Sequence, residues 1–384
     1  MILILAFFPS PAPSLRVQSL GYGMGYYITD TLTDIRINPA SSHNTFTLIY
    51  GTVNDTPGVG LAHRDWVLVY SLDDFRGPVL YNPTYLTGEL TVSKRQGALW
   101  PFLRARARII NGPGNYDEGW VYYDLRKELS LSLRPGLGFA RGNWEGMFSL
   151  GYGLGRDTVS ERGIYLYQPS TYQRSRRANE RGFAIETAHR VRFGKNNDLF
   201  WTGLLTFQRL DSSARDSIVS INQGEDTLAG LIQYSVATDT ISASSGVMRE
   251  LVLGPDARVW IGFTGRLEWK ARHERFLLTC HPQDMERSEA KLLLAVPGAM
   301  ELGFGTPDKR LYIRAGGRAF EALRWKTTRS VPDYDWPHIF LDSWGIGLSL
   351  YGKFRLDMLQ EACCSSEPLD PFSYRFEMVY RYAP

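Results

Sequence analysis

The chain carries 384 residues, with 43 Lys and Arg against 40 Asp and Glu for a net charge of +3, and 43% of it is hydrophobic by a count that includes 21 tyrosines, 19 phenylalanines and 10 tryptophans. A balance so close to neutral excludes the strongly basic surface expected of a nucleic-acid binder. No apolar run of about eighteen residues follows the N-terminus, which excludes a transmembrane helix but not a membrane-crossing strand, because such a strand shows its apolar side chains only at alternate positions.

Residues 1–14, MILILAFFPSPAPS, read as the hydrophobic part of a secretory signal that lacks its basic lead-in, with Ala12-Pro13-Ser14 near a processing point. A buried first strand is the alternative reading, but Pro9, Pro11 and Pro13 would each remove a ladder donor. Residues 15–43 follow as a separate segment. Gly21, Gly23 and Gly25 permit a tight backbone path, and Asp34–Asn38 reads as a short turn or half-helix stopped by Pro39. The segment is expected inside or under a barrel rather than in its wall, and residues 44–384 are expected to supply that wall.

Strands are predicted at Thr45–Gly51 and Asp65–Leu72, with a loop over Asp73–Thr87. Leu103, Ala105, Ala107 and Ile109 then alternate with Arg104, Arg106 and Arg108. Arginines on a lipid face would cost roughly 2–4 kcal/mol each at mid-membrane, so that face must meet water. Leu129, Leu131, Leu133, Leu137 and Phe139 alternate with polar or small residues up to a short turn at Arg141-Gly142-Asn143, and Phe148, Leu150, Tyr152 and Leu154 continue the pattern beyond it. Asp157–Arg181 is polar and reads as a long loop, as does Asp211–Thr227; Leu231–Val236 fits either a short strand or that second loop. In Val259–Arg272 the residues Arg266, Glu268 and Lys270 share the polar face. Lys291–Val296 and Met300–Phe304 read as two strands separated at Pro297, and Arg324–Pro337 as a further loop.

The cleanest alternation is WGIGLSLYGKFRLDM, Trp344–Met358. Its even positions are apolar apart from Gly352, and its odd positions are small, polar or charged, ending in Arg355 and Asp357. It reads as one long strand, well beyond the usual length of about five or six residues and long enough to cross hydrocarbon at a slant. Phe372–Tyr382 alternates in the same way and is rich in aromatics.

These elements predict an all-β fold: an antiparallel transmembrane β-barrel of about fourteen strands, within a range of roughly twelve to sixteen, with a short N-terminal plug. Closure would give every backbone amide a partner in hydrocarbon and leave no edge. A water-soluble sheet with a few long ribbons is the alternative.

Gly23-Met24-Gly25, an acidic residue at Asp30 or Asp34, and Asn38-Pro39-Ala40 together resemble the start of the long-chain fatty acid transporters and a related barrel of the Bacteroidetes gliding and secretion system. The resemblance implies that residues 21–40 plug a lumen, with Asn38 and Pro39 as anchor, beside a route for greasy substrates. The last strand resembles the closing strand of outer-membrane barrels, which their assembly machinery recognises. Against the transporter pattern, this chain places Arg104, Arg106, Arg108, Arg266, Glu268, Lys270, Arg355 and Asp357 on the expected inner face. Together with Asp34, Asn38 and Pro39 these are the candidate lumen and plug residues.

The expected location is the bacterial outer membrane, with its lipid, the barrel assembly machinery, a small or hydrophobic solute, or a surface or secretion-complex protein as partners. Passive uptake of a solute is the leading function, and a non-transport barrel supporting a surface complex is the alternative. An enzyme is not expected: His189 lies near Glu186 in sequence, but the pattern places no nucleophile beside it. Cys280, Cys363, Cys364 and six scattered histidines show no ligand spacing, so neither a metal nor a cofactor is expected.

Overall fold

The computed structural model describes residues 14–20, 28, 38, 40, 47–53, 58–63, 65–76, 84–113, 120–165, 170–194, 196–222, 225–278, 282–326, 333–361 and 375–382. One helical turn, α1 (Leu15–Gln18), precedes the strands β1 (Thr47–Val53), β2 (Gly58–His63), β3 (Trp66–Arg76), β4 (Thr84–Lys94), β5 (Leu99–Pro113), β6 (Trp120–Arg141), β7 (Trp144–Tyr165), β8 (Ser170–Phe193), β9 (Leu199–Asn222), β10 (Glu225–Gly254), β11 (Ala257–Leu278), β12 (Pro282–Thr306), β13 (Lys309–Lys326), β14 (Asp333–Leu350), β15 (Phe354–Glu361) and β16 (Arg375–Tyr382). Each strand pairs antiparallel with its neighbours in sequence, and β1 pairs with both β2 and β16, so the hydrogen-bonded order returns to its start as a ring.

The described residues form sixteen strands, two more than the fourteen expected and at the upper bound of the expected range of twelve to sixteen. The stretch Trp344–Met358 is not one strand but the facing ends of β14 and β15. Leu350 pairs with Phe354, Leu348 with Leu356 and Ile346 with Met358. Between them Tyr351 (φ 53) and Gly352 (φ 63) both adopt left-handed backbone, and Lys353 N–H donates to Leu350 O at 3.1 Å. That is the type I′ turn whose twist suits a hairpin. Its length makes an even position face an even position, so the alternation passes through the reversal unbroken and hides it.

A second correction concerns the polar stretches. Asp157–Arg181 and Asp211–Thr227 are not loops: β7 continues to Tyr165, β8 begins at Ser170, β9 runs to Asn222 and β10 begins at Glu225. The reason is composition. Both faces of these strand ends carry polar side chains, outward Arg156, Thr158 and Arg177 and inward Asp157 and Glu180, so hydropathy shows no period of two. Leu231–Val236 lies within β10, which has 30 residues. Asp73–Thr87 likewise lends its ends to β3 and β4, and Arg324–Pro337 to β13 and β14. β12 passes through Pro297 as one strand of 25 residues. The proline leaves its mark towards β11, where the ladder joins Ile261 to Gly298 and Thr264 to Ala295 and skips the positions between. Proline has no N–H to donate there.

The two ends of the ring differ. At one end the connections are tight: Arg141 pairs with Trp144 across Gly142 (φ 58), Gly254 with Ala257, and Thr306 with Lys309. The N-terminus of β1 and the C-terminus of β16 lie at this end, where Thr47 pairs with Tyr382. At the other end the strands run to unequal heights. β8 and β9 have 24 residues each, whereas β2 has 6 and β16 has 8.

Outward positions carry an apolar band. On β6 it runs from Phe139 through Leu137, Leu133 and Leu131 to Leu129, and then gives way to Lys127. On β7 it runs from Trp144 to Leu154 and gives way to Arg156; on β8 it runs from Phe193 to Phe183 and gives way to Arg181. An aromatic group marks its lower edge, where Phe139 and Trp144 meet edge to face at 4.9 Å, with the His189 ring 6.1 Å from each. His189 hydrogen-bonds Thr187 on this outer side, while Glu186 is buried inside, so the two point to opposite faces.

Candidate functional site

The inner wall at the tight-turn end is built around residues that precede the first strand. Ser14 caps α1, with its carbonyl accepting from Gln18 N–H at 2.9 Å and its hydroxyl facing Val17 N–H at 3.4 Å. The turn packs against β14, β15 and β16. Val17, Leu20 and Ile28 form a buried cluster with Met248, Trp260 and Ala299 of β10, β11 and β12. Ala40 packs with Val67, Val69, Trp100 and Val379 of β3, β5 and β16. The segment thus touches the wall on several sides of the ring.

Glycines in the wall make room for it. A Cβ at Gly345 would lie 2.6 Å from Ser19 Cβ, and one at Gly138 would overlap Asn38 Oδ1. Asn38 itself is buried. Its amide donates to Gly146 O at 3.0 Å and to Phe139 O at 3.3 Å, and its side-chain oxygen accepts from Ala40 N–H at 3.1 Å. Asp34 and Pro39 lie outside the described residues, as does most of 21–37.

Arg16 joins the segment to a buried chain of charge. Its Nε and Nη2 donate to Glu301 Oε2 and Oε1, both at 3.0 Å, in the bidentate geometry that a guanidinium fork gives with a carboxylate. Arg314 donates from Nε to Glu301 Oε2 and from Nη1 to Asp357 Oδ1, each at 2.6 Å. Arg355 Nε lies 2.6 Å from Asp357 Oδ2, and its Nη2 donates to Glu377 at 3.4 Å. Arg16, Arg314 and Arg355 therefore balance Glu301, Asp357 and Glu377. Arg314 is only 1% exposed, and its guanidinium sits where a Cβ at Gly347 would be. Beside the network a cavity of about 300 Å³ opens toward the turns, with Asp256, Arg258, Arg310 and Lys353 on its rim.

The other candidates occupy different levels. Arg104 is buried, with Nε at 3.2 Å from both Glu89 Oε1 and Thr91 Oγ1. Arg108 Nε lies 3.3 Å from Glu128 Oε1, and Arg106 is half-buried on the same inner face. Arg134 pairs with Glu186, and Arg190 with Glu145. Arg266 donates to Glu268 at 2.8 Å, and both remain open to the interior space, as does the half-buried Lys270. So Arg355 and Asp357 join the network around Arg16 and Arg314, Arg104, Arg106 and Arg108 line the opposite wall, and Arg266, Glu268 and Lys270 stand nearer the tall rim. Sequence reasoning missed Arg16, Glu301 and Arg314. A usable signal existed for one pair: Glu301 and Arg314 are equally distant from the Thr306–Lys309 turn, so they face each other across it.

No family model matches the chain, and no curated protein does. Solved structures similar to it include the ferric yersiniabactin uptake receptor FyuA from Yersinia pestis (7% identity, 88% of this chain and 79% of that one, TM-score 0.37). The monoaromatic hydrocarbon channel TodX, as a deltaS2 mutant, matches at 9% identity over 91% and 93% of the two chains with a TM-score of 0.43. The beta domain of the Bordetella autotransporter BrkA matches at 13% identity over 74% and 99% with a TM-score of 0.32. The resemblance drawn from the GMG and NPA segments is therefore withdrawn: no family model and no curated protein supports the fatty acid transporter and gliding-system family.

Proposed function

We propose that the chain is a barrel of the bacterial outer membrane that admits a small polar solute and holds it back with its own N-terminal segment. One observation carries this reading: Arg16, Val17, Leu20, Ile28, Asn38 and Ala40 are held against the inner wall at the tight-turn end, while the wall above them presents half-open charged side chains to the interior. The outward apolar band supports the membrane setting. It spans about ten residues per strand, the length of a slanted strand in hydrocarbon, and ends at charge. The charged interior favours a polar solute over a greasy one, since a polar lining gives an apolar molecule nothing to bury against. Passage then requires the Arg16–Glu301 and Asn38 contacts to open.

The second reading, a support for a surface or secretion complex, draws on the completeness of the buried charge network, which fits a permanent seal. Planar-bilayer recordings separate the two. The intact protein should show rare openings, and Arg16→Ser with Asn38→Ala should raise their frequency at least tenfold. Equal, silent traces from both proteins after confirmed insertion would exclude passage and leave the supporting role. In either case β16, which closes the ring, is the segment offered to the assembly machinery.

A further inference from the structure

The outer wall above the apolar band is unevenly charged. On β6 to β9, the outward side chains of Lys127, Arg156, Arg181, Arg209, Arg177 and Arg215 are all exposed. On the same face stand Asp211 and Asp239, and both are near Arg209, at 3.4 and 4.0 Å. Asp211 also faces Arg181 directly across β8 and β9, so the acids serve the two lowest rows, and the basic surplus lies above them. Arg177 and Arg215 are paired directly across β8 and β9. Facing positions place Cβ atoms about 4.5–5.5 Å apart, where like charges repel. Among the described residues no ion pair joins either arginine to an acid. They flank a cleft of about 520 Å³ whose floor is polar, with Asn179, Ser213, Gln233 and Ser235 among its lining.

We infer that this face binds the phosphorylated sugar head group of an outer-leaflet glycolipid. The inference rests on the membrane reading above. Continuity sets the occupant: outward positions up β8 run Phe183, Arg181, Asn179, Arg177, so a molecule with its acyl chains along the band carries its head group past the arginines into the cleft. The charge is complementary, and paired guanidinium forks suit phosphate oxygens. A phosphate between Arg177 and Arg215 turns a repelling pair into a shared site. The spacing selects a large head group. From Arg181 to Arg177 is about 13 Å along the strand at about 3.3 Å per residue, more than one phosphodiester spans. The neutral floor supplies hydrogen-bond partners for sugar hydroxyls between the phosphates.

The test uses the full chain in nanodiscs, with bisphosphorylated lipid A and its dephosphorylated form as probes, and retained lipid measured by native mass spectrometry. The expected result is at least tenfold tighter binding of the phosphorylated form, lost in Arg177→Ser/Arg215→Ser and kept in Arg249→Ser, an outward arginine at the opposite edge of the band. Equal binding of the two lipids, or an unaffected double variant, overturns the inference while leaving the membrane reading intact. Displacement by an equimolar soluble sugar phosphate would mean a free-anion site and overturn the lipid assignment. Failure to enter nanodiscs at all would sink both.

Discussion

Replacing Arg314 by methionine removes a guanidinium that touches two carboxylates of the buried network, at 2.6 Å each. The wild-type cluster is neutral, and the variant leaves three acids with two arginines. Neither carboxylate is stranded, because Glu301 keeps both Arg16 bonds and Asp357 keeps Arg355. Breaking a buried pair usually costs about 3–5 kcal/mol, and the retained partners place this case near the lower figure, about 3 kcal/mol. That is a change of roughly 150-fold in the folding equilibrium constant, since each 1.4 kcal/mol is tenfold. Urea unfolding in lipid vesicles, followed by tryptophan fluorescence, measures it. Removing Asp357 together with Arg314, as Arg314→Met/Asp357→Leu, restores neutrality and should cost less than the two single losses added, by at least about 1 kcal/mol. A single variant within about 0.5 kcal/mol of wild type, the range of ordinary surface changes, would refute the argument, as would strict additivity.

Other perturbations test the plug, the turn and the wall separately. Gly138→Ala puts a methyl into Asn38 Oδ1 and should expose the N-terminal segment, read as protease cleavage there about tenfold faster, or ~1.4 kcal/mol of lost docking, with the barrel itself still folded. At the β14–β15 turn, Gly352→Val forces a branched side chain into φ 63 and should lower the unfolding free energy by about 1–2 kcal/mol. Leu133→Arg, in the middle of the band on β6, should cost about 2–4 kcal/mol in vesicles, whereas Lys127→Leu at its edge should cost far less; equal effects would argue against a lipid-facing band.

The wall was legible wherever one face met an apolar surrounding and the other a polar interior. Leu129 to Phe139 and Phe148 to Leu154 read directly as alternating strands. Legibility failed in two physical situations. Where both faces carry polar side chains, as in Asp157–Arg181, hydropathy does not alternate and strand looked like loop. Where a tight turn preserves parity, as at Tyr351–Lys353, a continuous pattern concealed a reversal. The site was less legible than the wall. Arg355 and Asp357 stood out by their alternation, but Arg16 finds its partner 285 residues away, and no local feature announces such a contact. Inner-face glycines behave similarly. Gly138, Gly345 and Gly347 read as small residues, and their purpose becomes visible only with Asn38, Ser19 and Arg314 in place.

The unequal strand lengths carry a mechanical consequence. The hoop is fastened by one of its shorter clasps, Thr47–Val53 against Phe376–Tyr382, while β9 and β10 are laced together from Leu199 to Asn222. Strain applied around the circumference therefore concentrates on the clasp. When the hoop springs, β1 and β16 part from each other, and Ala40, seated between Val67 and Val379, loses one side of its seat.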